Sequence, residues 1–223
     1  MNAEELRDMK TLHLSFIGKI IAGFTHEIKN HFAIIKETGG LMQDFIDMGK
    51  CSKGELKQFS GSIRCIEEQI FKAISLIDYL NGFAHRMDRP RSEVNINEVL
   101  QELVALMTRF AYQKKIVFET DFKRQIPSLE TNPPMLQYVL FCLIDGRMSR
   151  LDRNGRIMIR TSVTGGNITV SLISEGTIIP PVGGMEFCCH GLMPDSLKQL
   201  GGSVSESEKE TVITLPAAQT RPR

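Results

Sequence analysis

The sequence lacks tryptophan, long apolar runs and an excess of charge of either sign. No stretch of about 18 uncharged apolar residues is present, so no transmembrane helix is predicted. The first ten residues, MNAEELRDMK, are too charged for a signal peptide. With 27 Lys and Arg against 26 Asp and Glu, the overall charge favours neither nucleic acid nor a membrane surface as partner. We therefore expect a cytoplasmic protein that binds neither.

The cysteines and histidines also lack the spacing of metal sites. Five cysteines lie at positions 51, 65, 142, 188 and 189, without the pattern of a zinc site. The adjacent Cys188 and Cys189 could form a redox pair, but buried thiols are more common. His26 and His31 are five residues apart, whereas the HExxH zinc motif needs histidines four apart on one helix face. No metal site is predicted.

Two long stretches carry apolar residues at intervals of three and four, which is the period of an amphipathic helix. The first predicted helix runs from Glu4 to about Met48, and Gly39-Gly40 predicts a kink or loosening within it. The second runs from about Glu55 to Arg86. Its apolar positions are Phe59, Ile63, Ile66, Ile70, Ile74, Ile77 and Leu80.

A short glycine-rich turn at 49–54 joins these helices, so they are expected to form an antiparallel hairpin over residues 1–90. A single hairpin would leave half of each apolar stripe exposed. Two copies pairing into a four-helix bundle would cover both stripes, and the sequence therefore predicts a homodimer.

The composition changes after Pro90, which ends the hairpin because proline cannot continue a helix. Residues 91–218 are expected to form a second domain. Its predicted helices are 97–112, 133–151 and 194–200, its strands are 116–122, 156–163, 167–173, 203–207 and 211–215, and 127–132 is a turn-rich link. This order predicts an α+β sandwich in which helices cover one face of a sheet.

His26 is the residue in the first helix that the apolar pattern does not explain. At 100° per residue it lies about 160° around the helix from Phe24, so its imidazole is expected to face water. Phosphoryl transfer from an aspartyl phosphate needs such an accessible neutral imidazole. The adjacent Glu27 could orient or deprotonate the ring, and Asn30, one turn further on, could contact phosphoryl oxygens or a hydrolytic water.

The chain resembles a bacterial two-component histidine kinase core over nearly its full length. The segment IGKIIAGFTHEIKN at 17–30 resembles the phospho-accepting H box of that family, with His26 at the phosphorylated position. Residues 95–216 resemble its ATP-binding domain in element order and at three short segments, NINEVL at 95–100, LQYVL at 136–140 and LGGSVS at 200–205. The resemblance implies a helical hairpin followed by an ATPase-like α/β sandwich.

The nucleotide site implied by this resemblance has eroded. Gly146 occupies the place of the asparagine that helps to hold magnesium, and Cys142 that of a second common asparagine. The Asp-x-Gly-x-Gly box becomes Ser-Glu-Gly-Thr-Ile at 174–178, and the Gly-x-Gly box shrinks to Cys-His-Gly-Leu-Met at 189–193. No GxxxxGK loop replaces them. We therefore expect ATP binding to be lost, with no cofactor bound by this chain.

This combination resembles the histidine phosphotransferases built from a degenerate kinase core, which dimerise through the hairpin. The resemblance implies that His26 relays phosphoryl groups between aspartates of response-regulator receiver domains, with the magnesium on the receiver. Lys19, Lys29 and Lys36 could then contact the acidic receiver surface. His31 stands where the family has proline, so the helix is expected to run straighter below His26.

Two other functions remain open. The chain could be a divergent sensor histidine kinase that autophosphorylates from ATP, although the lost glycines and asparagine speak against this function. It could instead be a non-catalytic dimer that binds and regulates a response regulator, although simple docking would not require an imidazole at His26.

Overall fold

A long helical hairpin begins the chain and an α+β unit packs against it. The computed structural model describes residues 3–48, 53–88, 90–179 and 193–217. The helices are α1 (Ala3–Asp47), α2 (Lys53–His85), α3 (Ile96–Gln113), α4 (Pro133–Arg150) and α5 (Met193–Gln199), and a 3-10 turn spans Arg86–Asp88. The strands are β1 (Ser92–Val94), β2 (Val117–Asp121), β3 (Leu129–Thr131), β4 (Arg156–Thr164), β5 (Asn167–Glu175), β6 (Ser203–Glu206) and β7 (Glu210–Pro216).

The predicted α+β class is confirmed. Five strands form a mixed sheet in the order β2-β4-β5-β7-β6, in which only the β2–β4 pair is parallel. Apolar residues on β4, β5 and β7 alternate with more exposed ones, so one face of the sheet is buried. The core combines this face with α3 and α4.

Three local expectations need correction. Gly39 and Gly40 remain inside α1, which continues without interruption through His31 to Asp47. The link at 127–132 contains β3, which pairs with β1 in a two-stranded antiparallel ribbon. The second helix begins at Lys53, inside the expected turn, and ends at His85. The adjacent Cys188 and Cys189 and all of the second glycine box before Met193 lie outside the described residues.

Polar side chains begin α3 and α4. The Asn95 side chain accepts a hydrogen bond from Asn97 N at 2.9 Å, and that of Asn132 accepts one from Met135 N at 3.0 Å. Pro133 and Pro134 open α4, where the missing N–H groups have no helical partner to lose. These caps define the starts of the two helices that pack against the hairpin.

The hairpin and the α+β unit share one hydrophobic core. Phe16 of α1 is 3% exposed, and its ring centroid lies 5.5 Å from Phe83, 5.9 Å from Tyr138 and 4.6 Å from Phe141. Ile20, one turn further along α1, is fully buried in the same cluster. The hairpin is therefore packed against α4 by apolar burial.

Polar contacts reinforce this packing. Lys19 Nζ donates to both carboxylate oxygens of Asp145 on α4, at 2.7 and 2.9 Å. Arg86 Nε and Nη2 each donate to the Glu102 carboxylate of α3 at 2.9 Å. The pKa of Arg86 is raised, chiefly by its hydrogen bond to Glu102. These ion pairs fix both α3 and α4 relative to the hairpin.

Gly23 allows α3 to approach α1 closely. A Cβ atom at this position would lie 2.8 Å from Phe110 Cζ and 3.4 Å from Leu106 O. Any side chain larger than hydrogen would therefore push the two helices apart.

Gly23→Leu is expected to destabilise the protein by about 1–3 kcal/mol, because the added side chain overpacks the contact with α3. Gly61→Leu is the matched control, since a Cβ at Gly61 meets nothing within 4 Å. The control should gain roughly 0.5–1 kcal/mol from helix propensity. Chemical denaturation measures both variants, and equal stability changes would contradict the close packing at Gly23.

Within the described residues, no helix combines the length and apolarity needed to cross a bilayer.

Candidate phosphoacceptor site

The His26 imidazole lies on the solvent-facing side of α1. The side chain is exposed, while Phe24 is half-buried and Gly23 is buried against α3. Among the described residues, none forms a hydrogen bond or ion pair with the His26 ring. The rigid helix therefore presents an imidazole whose two nitrogens are both open to a partner.

Glu27 and Asn30 lie beside His26 and contact each other. Asn30 Nδ2 donates to Glu27 Oε2 at a long 3.4 Å, and both side chains are half-buried. The structure brings neither within hydrogen-bonding distance of the imidazole. Their assigned parts in orienting the ring and contacting phosphoryl oxygens remain predictions, since such contacts often form only in the reacting complex.

The three predicted docking lysines have different surroundings. Lys29 and Lys36 are exposed on α1. Lys19 forms the ion pair with Asp145, and its Nζ lies 5.5 Å from the ring centroids of Phe110 and Phe141. Lys19 thus has a part in holding the α+β unit, and its contact with a receiver remains a prediction.

Two other histidines of α1 make contacts within the fold. His13 packs against the α+β unit, with its ring centroid 4.5 Å from that of Tyr138. His31 Nδ1 lies 2.7 Å from Oε1 of the buried Gln69, so it joins α1 to α2 within one hairpin. Neither ring is placed for catalysis.

The residues at the expected nucleotide site on α4 offer few ligands for magnesium. Cys142 is buried and Gly146 has no side chain, so neither supplies the oxygen ligand that Mg²⁺ prefers. The one carboxylate beside them on α4, that of Asp145, is paired with Lys19. Within the described ranges, no group of three or more His, Cys, Asp or Glu residues is arranged to hold a metal ion.

Backbone hydrogen bonds hold the segment after Glu175 and Gly176. Asp152 N donates to Thr177 O at 3.0 Å and Ile179 N to Arg150 O at 2.7 Å. The segment after β5 is therefore hydrogen-bonded to the connection between α4 and β4.

A groove that the sequence did not reveal begins beside Glu27 and Asn30. It has a volume of about 520 Å³ and runs between α1, α2 and α3. Arg109 and Tyr112 of α3 line its far wall, and Lys72 lies on the α2 side. No motif identifies Arg109, because its place next to the H-box helix depends on how α3 packs on the hairpin.

Two kinases of known sequence are similar to this chain. No protein-family model matches the chain. Sporulation kinase E of Bacillus subtilis (strain 168) is 22% identical over 200 residues, which are 89% of this chain and 24% of that protein. Sensor histidine kinase ZraS of Escherichia coli (strain K12) is 22% identical over 160 residues, 72% of this chain and 33% of that protein. The resemblance to a histidine kinase core is confirmed.

The chain spans about a quarter and a third of the length of these two relatives. Solved histidine kinases match it as well. One is the histidine kinase ThkA in complex with the response regulator protein TrrA, at 22% identity and a TM-score of 0.43, covering 95% of this chain and 64% of that one.

Burial of His13 makes part of the hairpin contact sensitive to pH. Desolvation lowers the pKa of His13 below its usual 6.5, so the unfolded chain binds a proton here more readily than the folded chain. The stability that depends on neutral His13 is present above pH 6.5 and is lost as the pH falls through 6.5 towards the lower folded pKa.

His13→Phe should therefore lose less stability than the wild type between about pH 7.5 and about pH 5.5, a range that brackets the ordinary histidine pKa of 6.5. Denaturant unfolding at each pH measures the difference. Val204→Phe, which adds a ring at an exposed position of β6 and changes no titratable group, serves as the control and should keep the wild-type pH slope. An unchanged slope in His13→Phe would show that the buried imidazole does not titrate with folding.

Proposed function

We propose that this chain is a histidine phosphotransferase of a two-component phosphorelay, passing phosphoryl groups between response-regulator aspartates through His26. The observation that carries the proposal is the exposed, unpaired His26 imidazole within a histidine kinase core. The donor set at the former nucleotide site, with Cys142 and Gly146 in place of amide side chains, supports a phosphoryl source outside the chain.

The chemistry requires little from this protein. A neutral imidazole nitrogen of His26 attacks phosphorus of the receiver's aspartyl phosphate, the P–O bond to the aspartate breaks, and the imidazole releases its proton. The aspartate leaves as a carboxylate, and its charge is stabilised by magnesium on the receiver. Glu27 would accept or orient the ring proton, and Asn30 would donate to a phosphoryl oxygen. The chain itself would bind neither a nucleotide nor a metal.

Two exposed lysines lie on one side of His26 along α1. On helical geometry, Lys29 lies about 60° to one side of His26 and Asn30 about 40° to the other. Lys29 and Lys36 are exposed and so available to acidic groups on a receiver domain, whereas Lys19 is already partly neutralised by Asp145.

An exposed apolar stripe on the hairpin supports a homodimer. Along α1, Leu14 and Ile21 are 70% and 49% exposed and are seven residues apart. Along α2, Ile63, Ile70 and Ile77 repeat the same interval at 48%, 44% and 40% exposure. A heptad repeat of this kind is the seam of a helical bundle, and a second hairpin would cover it.

Ile70→Asp should convert the dimer to a monomer, because it would place a carboxylate in the covered seam. Light scattering coupled to size exclusion gives the mass. Val204→Asp is the control, since Val204 is similarly exposed at 39% but lies on β6, away from the hairpin. A wild-type protein that is monomeric at micromolar concentration would refute the dimer.

The phosphotransferase proposal is tested by the source of the label on His26. Each receiver domain of the source organism is purified, phosphorylated with radiolabelled acetyl phosphate and mixed with the wild type or with His26→Ala. We expect acid-labile label on the wild type from at least one receiver and none on His26→Ala. Equal labelling of the two proteins would exclude His26 as the acceptor.

A second candidate, a divergent sensor histidine kinase, is favoured by the activities named for the two sequence relatives. Incubation with radiolabelled ATP and Mg²⁺ separates the two functions. Label from ATP on the wild type, absent from His26→Ala, would replace the phosphotransferase proposal with the kinase. If the wild type takes label from neither ATP nor any receiver, the remaining function is that of a non-catalytic dimer that binds and regulates a response regulator.

A further inference from the structure

The groove beside the phosphoacceptor site is built from both parts of the chain. Asn30, Ile34 and Glu37 line it from α1, and Arg109 and Tyr112 line it from α3. Asn30 lies one helical turn beyond His26, so the groove opens directly next to the reacting side chain. A protein that brings an aspartyl phosphate to His26 would come close to this surface.

Arg109 is the unusual residue in the groove. Its side chain is half-buried, and its Nε atom is fully buried without a hydrogen-bond partner. Glu27 and Glu37 line the same groove, yet Arg109 forms no ion pair with a residue in the described ranges. A guanidinium stays charged in proteins, and its donors are costly to bury unpaired. Arg109 is therefore a positive group to which the described part of the chain supplies no partner.

The position of Arg109 is fixed by contacts on both sides of it. Phe110, the next residue, packs against Gly23, and Glu102 on the same helix receives three hydrogen bonds from Arg86. Tyr112, one turn further along α3, is 74% exposed. Arginine and tyrosine are among the residue types that most often dominate binding at protein interfaces.

We propose that the groove is part of the receiver-binding surface and that Arg109 pairs with an acidic side chain of the bound receiver domain. This inference rests on the proposed function, and it assigns the α+β unit a task in partner recognition. A carboxylate suits Arg109 because its planar oxygens match the guanidinium fork. The occupant is a receiver because the groove is continuous with the surface around His26. Arg109 is then a specificity-determining residue that acts on docking and not on the reacting atoms.

The test compares transfer from a protein donor with transfer from a small donor. The protein donor is the radiolabelled phospho-receiver that labels the wild type fastest, and the small donor is phosphoramidate. Arg109→Ala should raise KM for the phospho-receiver about tenfold or more while kcat changes less than about twofold, because binding is lost and chemistry is not. Labelling by phosphoramidate should keep the wild-type rate.

Three further variants make the result specific. Arg109→Lys should recover part of the affinity, since it keeps the charge but not the fork. Arg124→Ala removes an exposed arginine away from the groove and should behave as the wild type. Arg109→Gln replaces Arg109→Ala if thermal unfolding shows that the smaller side chain impairs folding.

Two outcomes would overturn the inference while leaving the proposed function intact. In the first, Arg109→Ala takes label from the phospho-receiver with the wild-type KM while His26→Ala takes none. In the second, Arg109→Ala slows labelling by phosphoramidate as much as labelling by the receiver, which would place Arg109 on the phosphoryl group itself. Failure of the proposed function is distinct, because the wild type would then take no His26-dependent label from any receiver.

Discussion

The contact between α1 and α4 is the interaction on which the rest of the structure depends. Phe16 is buried among aromatic rings of α2 and α4, and Lys19 binds the Asp145 carboxylate through both oxygens. The Asp145 side chain is only 10% exposed, so removing Lys19 would leave a buried charge without its partner. This contact holds the α+β unit at one place on the hairpin, and that place decides which residues of α3 lie near His26.

The two parts of the chain make different contributions to the site. The hairpin supplies the imidazole of His26 on an uninterrupted helix, together with an exposed apolar stripe of heptad spacing. The α+β unit keeps the sheet and helices of its fold, but Cys142 and Gly146 do not provide magnesium ligands. Its helix α3 instead faces the hairpin with Arg109 and Tyr112.

The hairpin, the larger elements of the α+β unit and the exposure of His26 were predictable from the sequence. The spacing of apolar residues is enough to predict helices as long as α1 and α2. The angle around the helix between Phe24 and His26 predicts that His26 is exposed to water. The sequence does not predict the ribbon of β1 and β3, because a strand of three residues is too short to show the alternation of apolar and polar side chains. The glycines at 39 and 40 suggest a kink, but α1 continues through them without interruption. Nothing packs against α1 at these two positions.

The Lys19–Asp145 pair and the place of Arg109 could not be predicted, because both depend on which helix faces meet across more than 70 residues of sequence. The fixed packing has a further consequence for the kinetics of binding. Since α3 and the hairpin are already joined, a partner meets a preorganised surface and no domain needs to be ordered when it binds. The entropy of aligning Arg109 with the His26 face is lost during folding, once per molecule, and would not be lost again when the proposed receiver binds.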